Sequence, residues 1–143
     1  MKITQFRDEN RFLSNFYYAP VIYEGIKYKT SENAFQAAKC ANPADRQQFA
    51  NLKPNEAKHL GRKIALRSDW ENVKFDVMRE IVLAKFTQNE DLKIKLMYTK
   101  GAYLEEGNTW GDTVWGVDMR TGQGENNLGK ILMQIRDQFI AED

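Results

Sequence analysis

Apolar and polar positions along this chain recur with two different periods. Near the start they alternate: Val21-Ile22-Tyr23 and Ile26-Lys27-Tyr28 flank Glu24-Gly25, a pattern that predicts a hairpin with the glycine in the turn. The first 28 residues as a whole read as strands and turns. Beyond them the period becomes helical. Thr30 is a candidate N-cap for a helix from Ser31 to about Ala41, with Glu32 in the first turn, where the helix dipole favours an acid. Pro43 and Pro54 each suit the first position of a further helix. Ser68-Asp69-Trp70-Glu71 matches a capping box and opens the strongest helical signal, with Trp70, Val73, Val77, Ile81 and Lys85 on one face. Asn89 can cap a short helix carrying Leu92 and Leu96, and Leu128, Ile131, Leu132, Ile135 and Phe139 mark a last one. The pattern predicts an α+β fold: a single, mainly helical domain over residues 1–143, with a small antiparallel hairpin near the N-terminus.

One stretch has neither period. Gly101 to Gly129 holds seven of the nine glycines, two of the three tryptophans and the acids Glu105, Glu106, Asp112 and Asp118. A connection of this length with little regular structure is functional or disordered in most proteins. Tryptophan supplies burial and glycine permits tight backbone geometry, so an ordered binding loop is the expectation.

Composition and charge narrow the chemistry. Hydrophobic residues at 42% and charged residues at 29% describe a globular chain with one core, and no apolar run reaches the roughly 20 residues of a bilayer span. The N-terminal residues lack the apolar segment of a signal peptide and there is one cysteine, Cys40, so the expected location is the cytoplasm, away from membranes. With one histidine and one cysteine, a Cys/His zinc site cannot be assembled, and a Ser-His-Asp triad would have to use His59, which has no motif around it. No Walker loop or dinucleotide fingerprint is present. The reactive groups left to an enzyme are carboxylates, lysines and bound water, and no cofactor or metal is expected. The net charge of +1 gives no whole-molecule field for nucleic acid. Between Lys53 and Arg67, however, Lys53, Lys58, Arg62, Lys63 and Arg67 face a single acid, Glu56. Such a run is either a solvated helix face or a docking surface for the phosphates of a small ligand.

The helix after Thr30 carries the sharpest constellation. Glu32, Phe35, Gln36 and Lys39 fall at i, i+3, i+4 and i+7 and share one face. By spacing alone this is a helix edge with a dipole acid and a solvated lysine, or a face that handles a ligand.

The wider pattern resembles the NADAR (YbiA-like) family. Leu13-Ser14-Asn15-Phe16, then Thr30-Ser31-Glu32 with Phe35-Gln36-Ala37-Ala38-Lys39, resemble its opening signature. The likeness continues through Glu56-Ala57-Lys58, Gly61-Arg62, Trp70, Met78 and Lys85-Phe86, then Glu106, Asp112, Trp115-Gly116 and Gly124-Glu125-Asn126-Asn127-Leu128-Gly129, and ends with Leu132-Met133 and Arg136. It departs at Asn33-Ala34, where the founding branch has His-Tyr, and over Val117 to Gln123; both bear on substrate choice. The resemblance implies hydrolysis of an N-glycosidic bond to ribose. The substrate is a small phosphorylated ribosyl compound, a ribosylamine 5-phosphate of the early riboflavin pathway, or ADP-ribosylated guanine in nucleic acid.

The residue types suit that reaction. Breaking the bond develops oxocarbenium charge at C1, which a carboxylate stabilises, while the leaving nitrogen needs a proton and the water a base. Glu32 and Asp112 are the candidate carboxylates. Lys39 is either a phosphate or hydroxyl contact, the favoured reading, or a Schiff-base nucleophile if its pKa is lowered. Asn15, Phe16, Gln36, Lys58, Arg62, Trp70, Glu106, Trp115, Gly116 and Asn126 are the binding candidates. Among them Lys58 and Arg62, with neighbouring Lys63, are suited to phosphate, and Trp70 and Trp115 to a flat base or to the core. Asn126 either caps the last helix or belongs to an anion site. The rival from another class is a non-catalytic module that binds NAD or ADP-ribose, from which turnover distinguishes a hydrolase.

Overall fold

In a computed structural model that describes residues 1–143, the chain runs β1 (Lys2–Ile3), a 3-10 helix over Asp8–Leu13, β2 (Val21–Tyr23), β3 (Ile26–Tyr28) and α1 (Ser31–Ala38). It continues through a second 3-10 helix over Pro43–Phe49, α2 (Pro54–Gly61), α3 (Trp70–Gln88) and α4 (Glu90–Met97). β4 (Tyr103–Leu104), β5 (Gly107–Asn108), β6 (Val117–Asp118) and α5 (Asn127–Glu142) complete it. These elements form two compact units, one of Asn15–Asn89 and one of Met1–Ser14 with Glu90–Asp143.

In the unit Asn15–Asn89 the hairpin has the predicted register, Val21 opposite Tyr28 and Tyr23 opposite Ile26. Its two turn residues, Glu24 and Gly25, both have positive φ (49° and 83°), as a tight turn matched to strand twist requires. Thr30 caps α1: its hydroxyl oxygen accepts the Asn33 N–H at 3.1 Å and its O–H donates to Asn33 Oδ1 at 2.6 Å. All eight α1 residues are buried, so this short helix is the hub of the unit. It ends at Ala38, short of the expected Ala41, because the next residues pair with a distant strand-like segment. There the Arg67 N–H donates to the Lys39 carbonyl at 2.8 Å, and the Ala41 N–H to the Ala65 carbonyl at 3.0 Å.

Pro54 does open α2, where the Glu56 carboxylate accepts the Lys53 N–H at 2.9 Å. The capping box expected at Ser68 is not formed. α3 begins at Trp70 behind Asp69, whose carboxylate makes no cap bond because Arg67 holds both its oxygens, at 2.7 and 3.0 Å. Val77, Met78, Ile81, Val82 and Phe86 of α3 are buried with Val21, Phe35 and Phe49. Side chains of this size stabilise the fold by roughly 1.5–3 kcal/mol each when fully buried. Lys85 is buried among them, its amine 5.1 Å from the Phe86 ring centroid and 5.9 Å from that of Tyr17. The Asn89 side chain donates to the Lys85 and Pro20 carbonyls, at 2.8 and 3.0 Å, so it fastens the end of α3.

In the other unit the first residues are not all strand and turn. Asp8–Leu13 coils as a 3-10 helix in which adjacent Phe12 and Leu13 are both buried, which the alternation of a half-buried strand does not allow. β1 pairs in parallel with β4, and β5 with β6, each over two residues. α5 buries the face read from its spacing: Leu128, Ile131, Leu132, Ile135 and Phe139. Arg136 on that face is buried too, and its guanidinium donates to the Ala102 and Thr99 carbonyls at 2.7 and 3.1 Å. Before α5 the glycine-rich segment has only β4, β5 and β6 as regular structure, and it is ordered by bonds within it and by backbone bonds from Tyr103, Glu105 and Gly107 to Met1, Ile3 and Thr4. No helix is long and apolar enough to cross a membrane.

Candidate active site

The start of α1 is built from its surroundings inward. The Asn15 carbonyl accepts the Glu32 N–H at 3.0 Å, and its side-chain oxygen accepts the Ser31 hydroxyl at 2.8 Å. The Asn15 amide group lies 3.5 Å from the Met78 sulfur of α3. These bonds fix the backbone of Glu32, an acid left only 8% exposed. One turn later Gln36 donates its amide N–H to Glu32 Oε2 at 2.6 Å, a charge-assisted bond that orients the carboxylate.

Lys39, one further turn along, is half-buried with its amine 5.8 Å from the Phe35 ring centroid. Burial pushes the Lys39 pKa below the usual lysine value; the Glu32 carboxylate opposes this, and the charges of Arg62, Lys58 and Lys74 add to it. The amine thus sits in a field of one carboxylate and three cations. Lys58 and Arg62 reach this field because they lie one turn apart at the end of α2. Lys74, which sequence reasoning missed, lies one turn after Trp70 on α3 and also pairs with Glu71 at 2.7 Å. Its spacing from Trp70 was the available signal. Lys63 is exposed.

The aromatic candidates divide. Trp70 is 5% exposed, its ring tilted 54° against Phe35 at 5.1 Å, so it braces α1 against α3. Phe16 is 39% exposed, and the Lys58 amine stands 5.9 Å from its ring centroid. Asn33 points into the fold: its buried amide donates to the Phe49 and Leu52 carbonyls at 2.8 and 2.7 Å.

The remaining candidates, Glu106, Asp112, Trp115, Gly116 and Asn126, lie in the other unit and order the glycine-rich loop. Asp112 Oδ1 accepts the N–H groups of Val114 and Trp115 at 3.1 and 3.0 Å. The backbone of Asp112 is clamped by Asn108, which donates to its carbonyl at 2.9 Å and accepts its N–H at 3.0 Å. Asn108 is 1% exposed and was not singled out in the sequence, since nothing local marks an asparagine that bonds four residues ahead. Asn126 precedes α5 in the left-handed conformation (φ 54°) and makes no side-chain cap bond. Its amide instead donates to the Leu104 carbonyl at 2.9 Å and accepts the Glu106 N–H at 3.0 Å. A Cβ at Gly116 would collide with the carboxylate and the carbonyl of Glu106, so only glycine permits this approach. Asp118 is paired with Arg120 through two contacts of 3.2 Å, which hold its carboxyl below the usual range.

A family model described as the NADAR domain matches residues 3–140, nearly the whole chain. The chain belongs to the NADAR family. The NADAR domain extends over both compact units. The chain is 38% identical to N-glycosidase YbiA of Escherichia coli (strain K12) over 138 residues, 94% of this chain and 85% of that protein. It is 35% identical over 136 residues to a riboflavin biosynthesis protein of Vibrio vulnificus (strain YJ016), covering 92% of this chain and 36% of that longer protein. The NMR structure of E. coli YbiA matches with a TM-score of 0.86 and 34% identity, over 99% of this chain and 85% of that one. The mainly helical α+β architecture is therefore that of a solved NADAR-type fold.

Proposed function

We propose that this NADAR domain is an N-glycoside hydrolase that cleaves the bond between C1 of a phosphorylated ribose and a nitrogen base or amine. The observation that carries the reading is the Glu32 carboxylate, buried and held by Gln36 at 2.6 Å, with the Lys39 amine in its field and Arg62 and Lys58 in the field of Lys39. As the C1–N bond lengthens, positive charge builds on the ribose ring, and an oriented carboxylate in a water-poor site stabilises it. Water then adds to C1 and gives up a proton to Glu32, which passes that same proton to the departing nitrogen, so that free base or amine and the ribose phosphate are the products and Glu32 is again a carboxylate. The phosphate docks among Lys58, Arg62 and Lys39, whose charges would otherwise repel one another. The exposed Phe16 ring is the platform for a flat base, and the buried Trp70 supports the wall behind it. Asp112 contributes by shaping the loop through Val114 and Trp115, and Glu32 carries the charge chemistry.

The half-buried Lys39 amine in the field of Glu32, pressed by burial towards its neutral form, supports one specific variation. It attacks C1 of the ring-opened substrate and expels the base or amine, which leaves with the proton the lysine nitrogen gives up, and water then hydrolyses the Schiff base to free Lys39 and the ribose phosphate. Borohydride added during turnover would trap that adduct on Lys39; no trapped adduct assigns Lys39 to phosphate. The names of the relatives, N-glycosidase and riboflavin biosynthesis protein, support ribosylamine 5-phosphates as the substrate class. The test is a mass-spectrometric assay with ribosylamine 5-phosphate intermediates in one arm and ADP-ribosylated DNA in the other. Release of free base or amine is expected. Saturable binding of ADP-ribose with no release in either arm would make the domain a binding module.

A further inference from the structure

We infer that Gln36 is a positioning residue for the Glu32 carboxylate, and that Gly61 is glycine in order to make room for it. The inference rests on the reading of Glu32 as the charge-bearing group of the site. Two local features of the structure are unfavourable for the fold, and both concern Gln36. Its Nε2 donates to Glu32 Oε2 at 2.6 Å, which turns the Oε1 of the same amide into the protein, where it is buried and accepts no hydrogen bond. A buried acceptor without a donor costs stability, and an apolar side chain of the same shape would avoid that cost. The second feature is Gly61, at the last position of α2. Its φ lies outside the left-handed region, so the backbone there does not need glycine, and alanine is the better helix former. A Cβ at this position would run into Oε1 and Cδ of Gln36, and the three nearest atoms it would meet all belong to the Gln36 side chain. Since Gln36 is only 4% exposed, its amide cannot yield without leaving Glu32. A fold optimised for stability alone would have neither feature. Together they keep one donor on the carboxylate.

The test compares Gln36→Met, Gly61→Ala and wild type for kcat, KM and melting temperature, each also in a Glu32→Gln background. Gln36→Met is expected to melt at or above the wild-type temperature while kcat falls about 10- to 100-fold, the worth of one charge-assisted bond, with KM little changed. Gly61→Ala is expected to lower kcat in the same way, and neither change should cost more once Glu32 is gone. A lower melting temperature with unchanged kcat would make Gln36 a structural residue, and a loss confined to KM would make it a substrate contact; either overturns the inference. A separate readout is the Gln36 side-chain amide signals in NMR spectra. They should move in Gly61→Ala, and unmoved signals would overturn the role of Gly61 whatever the enzyme's activity. If Glu32→Gln turns over normally, the functional reading fails while the NMR measurement still judges the contact.

Discussion

Lys85 makes the stability of this protein depend on pH in a calculable direction. The side chain is fully buried, and burial draws its pKa down from the usual 10.5 to about 7. Between those values the unfolded chain binds a proton that the folded chain does not, so stability rises with pH across that window. Well below pH 7 both states carry the proton, and the pH dependence from Lys85 levels off. With a folded value near 7 the linkage amounts to about 2 kcal/mol gained between pH 7 and pH 9, at 1.36 kcal/mol per unit less the curvature near the lower pKa. Tyr28, pushed up to about 12 by burial, works the other way, but only as pH passes the ordinary tyrosine range near 10. Lys39, also lowered by burial, acts in the same sense as Lys85 but is present in wild type and in a Lys85 variant alike, so the difference between the two proteins isolates Lys85. The perturbation is Lys85→Met, which keeps the length of the chain and removes the titration. Urea unfolding at pH 7, 8 and 9 should give wild-type stabilities that climb by about 2 kcal/mol and variant stabilities that stay flat relative to them. Parallel pH profiles for the two proteins would refute the reasoning, since they would mean that Lys85 keeps its proton in the fold over the whole range.

Three further outcomes follow from the same bonds. If Arg62 holds the substrate's phosphate, then removing the phosphate and making Arg62→Ala should each lower kcat/KM by roughly tenfold or more, and the two losses should not add; additive losses would return Arg62 to the solvent. Asn33→Ala should destabilise the fold by about 2–3 kcal/mol in urea titrations, because it strips the donors from the Phe49 and Leu52 carbonyls; a loss under about 0.5 kcal/mol, the usual range for surface changes, would show those carbonyls satisfied by water. Asp112→Ala should speed hydrogen exchange at the Val114 and Trp115 amides, and unchanged protection there would show that Asp112 does not order the loop.

What could be read from the sequence was whatever depends on neighbours along the chain. The hairpin around Glu24-Gly25, the Thr30 cap, the opening prolines and the apolar stripe of α5 are local patterns, and they stand in the structure as read. The same holds for the face shared by Glu32, Gln36 and Lys39, and for Lys58 and Arg62 one turn apart. Features set by partners far along the chain were not legible. α1 stops early because Lys39 and Ala41 pair with Arg67 and Ala65, and the Ser68 box fails because Arg67 takes the neighbouring Asp69. The two-residue parallel pairs β1–β4 and β5–β6 are too short to leave a period. Lys85 fell on the apolar spacing of its helix, yet nothing in a lysine announces complete burial. Asn126 was read as a side-chain cap or anion site, whereas its left-handed backbone turns the amide onto Leu104 and Glu106.

The central claim is that the Glu32 carboxylate drives hydrolysis, and the most direct measurement is the rate of base release by Glu32→Gln against wild type under saturating substrate. Glutamine keeps the shape and removes the charge, so the account predicts a fall in kcat of ~10²–10³ or more, the loss seen when an electrostatic stabiliser of a transition state is removed. The circular dichroism spectrum should be unchanged, since the backbone of Glu32 is fixed independently by Asn15. Wild-type turnover by a folded Glu32→Gln protein would contradict the account.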